Sequence, residues 1–182
     1  MTTTAPTTRV FVWDVVVRAG HWLLAAAFMG AFLTAESERL RLLHVRLGLA
    51  VVGIVLFRIV WGFVGTRYAR FSAFVTGPAP VLRYLKAVFS RHPEQHVGHN
   101  PASAAAIMGM LALGLTTGAT GWMVYEEVGP AWMGELHGAS ACAMLTLVVL
   151  HVVGVVLASV RHRENLIGAM VTGWKAAPQD RA

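Results

Sequence analysis

Cysteine, acidic residues and charge in general are scarce in this sequence. The single cysteine, Cys142, excludes an internal disulfide, a zinc site built on paired cysteines and a covalent Cys-x-x-Cys-His haem attachment. Charged residues occupy 13% of the 182 positions, against about 25% in an ordinary soluble domain, which argues against a water-soluble enzyme. Only nine acidic residues face fifteen Lys and Arg, for a net charge of +6. In a soluble chain that excess would suggest nucleic acid; in an apolar chain it reflects basic cytoplasmic loops, and no nucleic-acid partner is expected.

What the chain has instead is hydrophobic residues, 56% of the total, gathered into runs at 15–34, 44–65, 104–125 and 137–160. Each run is long enough, at about 1.5 Å per residue, to cross a hydrocarbon layer of about 30 Å. The runs exceed strand length and lack the alternation of a membrane barrel. The expected fold is therefore all-α: an integral membrane four-helix bundle forming a single membrane domain over 1–182. A cleaved leader around Leu23 to Leu33 is the alternative for the first run, but the preceding segment, with Asp14 and two arginines, makes a poor n-region.

Loop charge orients the bundle. Arg9, Arg18, Arg67, Arg70, Arg83, Lys86, Arg91, Arg161, Arg163, Lys175 and Arg181 share one side. The other side carries Arg39, Arg41 and Arg46 with Glu36, Glu38, Glu126, Glu127 and Glu135, so both termini are expected in the cytoplasm. The cytoplasmic loop 66–103 mixes basic and aromatic residues at Arg67 to Phe71, as interfacial anchors against membrane lipid do. Pro80 is expected to open an amphipathic helix through Phe89, and Asn100-Pro101 to cap the third span. The Thr-rich first eight residues read as disordered, and no repeat of 20 to 50 residues is evident.

Four histidines lie in or at the ends of the spans: His21, His44, His137 and His151. Ionisable groups inside a membrane are expensive and need partners. His137 and His151 are fourteen residues apart, which leaves them about 40° from a common helix face and about 21 Å apart along the axis. Span four therefore carries an outer and an inner imidazole. By depth, His44 matches His137 and His21 matches His151. Two imidazole pairs at two levels suit two non-covalent b-type haems, because imidazole ligates iron well and bundle cores house such cofactors. Zinc, the competing metal, would find two histidines per level and no Cys, Asp or Glu to complete its four ligands.

Other residues fit cofactor packing less specifically. Gly48 follows His44 on the same face, Gly154 follows His151, and Gly114, Gly118 and Gly121 form a small-residue stripe on span three; each either admits a flat ring or lets helices pack closely. Arg58, fourteen residues after His44, either neutralises a propionate of the inner haem or snorkels to lipid phosphate. His92, His96 and His99 read as loop residues, Cys142 as a small packing residue, and Trp13, Trp22, Trp61, Trp122 and Trp132 as interface anchors.

Taken together, Trp13-Asp14-x-x-x-Arg18-x-x-His21-Trp22, His44-x-x-x-Gly48, Phe57-Arg58-x-x-Trp61-Gly62-Phe63-x-Gly65-x-Arg67-Tyr68-Ala69-Arg70-Phe71, Gly98-His99-Asn100-Pro101 and the His137/His151 pair resemble the prokaryotic cytochrome b561 family. That family is related to the b-type cytochrome subunits of membrane-bound nickel–iron hydrogenases. The resemblance, over roughly Val12 to Lys175, implies a two-haem electron-transfer protein of the bacterial inner membrane that exchanges electrons with the quinone pool. It places the ligands at His21 with His151 and at His44 with His137. Relatives often carry Glu and Asn where this chain has Gly138 and Cys142, which puts a polar second shell around the outer haem in doubt.

The leading expectation is thus an electron conduit between quinone or quinol and a redox partner such as a periplasmic cytochrome c, steered by Glu126, Glu127 and Glu135. A superoxide:quinone oxidoreductase, with Arg39, Arg41 and Arg46 as a cationic funnel, is one alternative. A haem-bearing anchor subunit of a larger redox complex is another.

Overall fold

The computed structural model describes residues 9–88, 98 and 100–176. In chain order the elements are β1 (Arg9–Phe11), α1 (Val15–Thr34), α2 (Arg41–Val64), α3 (Pro78–Val88), α4 (Pro101–Tyr125), α5 (Met133–His162), α6 (Leu166–Thr172) and β2 (Trp174–Ala176). Helices α1, α2, α4 and α5 are long and apolar enough to cross a membrane. The shortest of them, α1, has 20 residues, or about 30 Å. The molecule is an all-α membrane bundle with one two-stranded antiparallel ribbon, in which Val10 pairs with Lys175.

Helix α1 coincides with its apolar run, whereas the other three long helices begin before theirs. Helix α2 starts at Arg41 rather than His44, α4 at Pro101 rather than Ala104, and α5 at Met133 rather than His137. Hydropathy marks the lipid-buried stretch, whereas backbone hydrogen bonding carries the same helix on through polar residues such as Arg41, Glu135 and Arg161. Helix α4 opens at the expected cap, at the end of the stretch counted as loop: Asn100 accepts from Ser103 N–H at 2.8 Å, and Pro101 takes the first helical position, where its missing N–H costs nothing. Helix α3 starts at Pro78, two residues before Pro80, for the same reason. The first eight residues, Phe89, and His92, His96 and His99 lie outside the described residues.

Packing runs in a row. Helix α1 lies on α2, α2 on α4 and α4 on α5, while α1 and α5 share no comparable interface. The buried centre of the row is Val55, fully inaccessible, with Val51, Ala27, Phe28, Leu111 and Met144. Small residues bring the helices close. A side chain on Gly114 would meet Val55 and Met144, and one on Gly118 would meet Val52. At these two positions the glycine stripe serves helix packing.

At the end where α1 begins and α5 finishes, the seam is clasped by the ribbon and α6. Val12 and Trp13 N–H donate to Gly173 O at 2.9 and 3.2 Å, and Arg18 Nη1 donates to Val171 O. Gly173 sits at φ +90°, with Phe11 and the Trp13 carbonyl against it, so only glycine suits the turn. Lys175 is buried in β2 with Glu164 at 3.8 Å; burial pushes its pKa down, and the carboxylate partly offsets that.

The N-cap Asp14 joins this clasp to α2. Its carboxylate accepts from Val17 N–H at 2.8 Å, from Trp61 Nε1 at 3.3 Å and from the Thr66 hydroxyl. Trp13, 6% exposed, and Trp61 are thus structural rather than lipid-facing, whereas Trp22, Trp122 and Trp132 stay exposed as expected of anchors. Beyond α2 the chain folds back so that the Phe71 ring occupies the space a side chain on Gly62 would need. Gly62→Ala is therefore expected to destabilise the protein by about 1–3 kcal/mol through overpacking, read as a lower midpoint of thermal unfolding in detergent. An unchanged midpoint would mean that Phe71 moves aside freely.

Candidate functional site

The chemistry-bearing side chains lie at two heights on the row of helices. At the far end from the clasp, His44 near the start of α2 and His137 near the start of α5 come together, with ring centroids 6.0 Å apart and planes at 85°. His44 Nδ1 is 2.8 Å from Ala31 O on α1, and His137 Nδ1 is 2.9 Å from Thr117 O on α4. A carbonyl oxygen only accepts, so each Nδ1 must carry a proton, and in the neutral ring Nε2 is then the nitrogen with a free lone pair. That is the tautomer a metal-ligating imidazole needs, with its other nitrogen anchored by an outer partner. Imidazole nitrogens sit about 2.0–2.1 Å from a first-row metal, and rings at this spacing have room for one metal between them.

His137 is held at two points, through its ring Nδ1 and its main-chain carbonyl. The Thr117 hydroxyl donates to Ser140 Oγ at 2.9 Å, and the Ser140 hydroxyl donates to the His137 carbonyl at 3.0 Å. A side chain on Gly121 would lie 2.8 Å from His137 Cε1, so the imidazole reaches α4 only because that position is glycine. The polar contacts of His137 thus come from positions other than Gly138 and Cys142: the Thr117 carbonyl accepts from its Nδ1–H, and its own carbonyl accepts from the Ser140 hydroxyl. Cys142 is exposed on the outside of α5 rather than packed inside. Nothing in the residue pattern singles out the Ala31 and Thr117 carbonyls. The one available signal is a serine or threonine within an apolar span, as at Thr117 and Ser140.

The inner pair is less tied. His21 on α1 and His151 on α5 are near enough to interact electrostatically, on the two helices that share no extended interface. His21 Nδ1 is buried without a hydrogen-bond partner, and its ring meets Trp22 edge-on at 5.1 Å. A buried polar atom left unpaired costs about 1–3 kcal/mol, the kind of cost tolerated at sites with another task. Among the described residues no three His, Cys, Asp or Glu side chains converge on one point.

Gly48, one turn beyond His44, has nothing within 4 Å of where a side chain would start, and neither has Gly154 beyond His151. Arg58 is held from the loop side: Nη2 donates to Ala69 O at 3.1 Å, and the guanidinium lies 5.3 Å from the Phe71 ring centre. Its Nη1 is buried and unpartnered. A side chain bonded to the protein this way does not snorkel freely to lipid.

Four apolar helices long enough to cross a membrane, with imidazoles on three of them and one pair meeting across the bundle, define an integral membrane helical bundle with a histidine-lined interior. Residues 12–173 match the family model described as prokaryotic cytochrome b561, and the chain belongs to that family. It is accordingly a b-type cytochrome, with haem b as its prosthetic group and electron transfer as its task. Curated relatives named probable Ni/Fe-hydrogenase B-type cytochrome subunit include one from Rhodobacter capsulatus, 25% identical over 96% of this chain and 84% of the relative. Another, from Azotobacter vinelandii, is 25% identical over 96% and 91%. The corresponding hydrogenase 1 subunit of Escherichia coli K12 is 28% identical over 64% and 60%. No solved structure matches.

Proposed function

We propose that the chain is a two-haem cytochrome of the bacterial inner membrane that carries electrons between the quinone pool and a redox partner on the periplasmic side. The observation that carries this reading is the pairing of His44 with His137, 6.0 Å apart with both Nδ1–H groups anchored, above a second histidine pair deeper in the bundle. Haem b, when bound, supplies a one-electron couple. His44 and His137 hold the outer group, and His21 and His151 the inner one. Gly48 gives the outer group room beside His44, and the free Nη1 of Arg58 takes an acidic substituent of the inner one.

The relatives' names favour a hydrogenase-like enzyme as the partner, with this chain as its membrane subunit. Glu126, Glu127 and Glu135 are exposed beside the start of α5, where they suit docking of a basic electron carrier such as cytochrome c as well.

The test is a pyridine haemochrome assay on purified protein. The expected result is two haem b per chain, falling to one in His21→Ala, His151→Ala, His44→Ala and His137→Ala alike. One haem in the unaltered protein, or full loading in any of the four variants, would overturn the assignment.

A further inference from the structure

The anchoring of His44 and His137 is built twice by the same device. At the end of α1 the Thr34 hydroxyl donates to Gly30 O at 2.7 Å and Ala31 O at 3.0 Å, and Ala31 O is also the acceptor for His44 Nδ1. In α4 the Thr120 hydroxyl donates to Thr116 O at 2.7 Å and Thr117 O at 3.1 Å, and Thr117 O is also the acceptor for His137 Nδ1. Each threonine stands three residues beyond the shared carbonyl. Both are buried, at 8% and 5% exposure.

Threonines in helices commonly bond back to their own turn. These two do so onto the one carbonyl in each helix that a histidine from the next helix uses. The two hairpins, α1–α2 and α4–α5, reach this state by different local means. In α1 the helix stops, and Ala35 N–H turns back to Phe32 O. In α4 the helix continues, and Gly121 clears a path for the imidazole. The same donor arrangement on two unlike backbones marks the threonines as part of the ligand-holding structure.

We propose that Thr34 and Thr120 are a matched pair of positioning residues that set the reduction potential of the haem held by His44 and His137. This rests on the ligand assignment given above. A stronger Nδ1–H···O bond makes an imidazole more electron-rich, which favours the oxidised metal and lowers the potential. A hydroxyl that donates to the same carbonyl occupies part of its acceptor capacity, weakens the histidine's bond and holds the potential up. The inner pair has no such arrangement: His21 Nδ1 has no acceptor at all.

The test is a spectroscopic redox titration of the purified holoprotein and its variants. The component lost in His44→Ala identifies the outer group. Thr34→Val and Thr120→Val, which keep the side-chain shape and remove the donor, are each expected to shift that component downward. The double variant should shift it further, and Thr34→Ser and Thr120→Ser should leave it in place. The other component stays fixed, and the electron paramagnetic resonance signal of the oxidised protein changes only for the outer group. A valine variant that does not load haem is replaced by alanine, which removes the same donor.

An unmoved outer potential, an upward shift, or equal movement of both components would overturn the proposal. A single haem per chain would instead sink the two-haem reading. If that one haem disappears in His44→Ala, the threonine titration applies unchanged; if it persists, this proposal falls as well.

Discussion

Gly121→Ala is expected to make α4 a better helix and the protein a worse cytochrome. Replacing an interior glycine by alanine adds about 1 kcal/mol of helix propensity. The new methyl, however, would stand 2.8 Å from His137 Cε1 and 2.9 Å from its Nδ1, closer than such contacts allow. The imidazole must swing away, which breaks its bond to Thr117 O and changes its placement against His44. On the proposed two-haem assignment, haem content should therefore fall by about half while helical content by circular dichroism holds or rises, and the remaining haem should be the component that survives in His44→Ala. Gly138→Ala is the control, because nothing lies within 4 Å of a side chain there; it should load fully. Full loading of Gly121→Ala would show that His137 tolerates displacement and that the glycine serves packing alone.

The contrast between these two glycines shows where the amino-acid sequence is legible. Gly121 and Gly138 look alike in an apolar run, and only the neighbouring helix distinguishes them. The four spans could be read directly, because hydrophobicity over 20 residues has no other economical use, and the heights of the histidines followed from helical rise alone. Helix ends could not be read so well, since Arg41 and Met133 continue helices by backbone bonding that leaves no apolar trace. The ribbon of Arg9–Phe11 and Trp174–Ala176 was invisible for a related reason: three residues carry no periodicity, and the pairing joins opposite ends of the chain.

The candidate site divides along the same line. The proposed ligands, His21, His44, His137 and His151, stand out as polar residues in apolar spans. The groups that fix the tautomers of His44 and His137 are main-chain carbonyls, and any residue type supplies one. Thr34, Thr120 and Ser140 do not stand out in the sequence, because hydroxyl side chains in membrane helices ordinarily satisfy themselves within their own turn. Their significance depends on which carbonyl they reach and on what else reaches it.

Asp14→Ala is expected to be the most destabilising single change at the clasp. The carboxylate caps α1 through Val17 N–H and also takes hydrogen bonds from Trp61 and Thr66 after a turn through α2. Losing a cap costs about 1 kcal/mol, and hydrogen bonds to a charged group contribute about 1.5–3 kcal/mol each. Because the three share one carboxylate and do not add fully, a loss of about 2–4 kcal/mol is expected, read as a lower unfolding midpoint in detergent. Burial alone would raise the Asp14 pKa, but the hydrogen bonds from Thr66, Val17 and Trp61 outweigh it and hold the pKa below the ordinary aspartate value. The folded pKa lies below the unfolded one, so the stabilisation is complete above the unfolded value of about 3.9 and disappears as pH falls through the folded value. Asp14→Ala should therefore flatten the acid limb of the stability profile, and Asp14→Asn, which retains an acceptor but no charge, should fall between. His21 lies two turns along the helix that Asp14 starts, so the inner group should be lost before the outer one as Asp14→Ala is warmed. Loss of the outer component first would show that α1 is positioned by its packing on α2 and not by its cap.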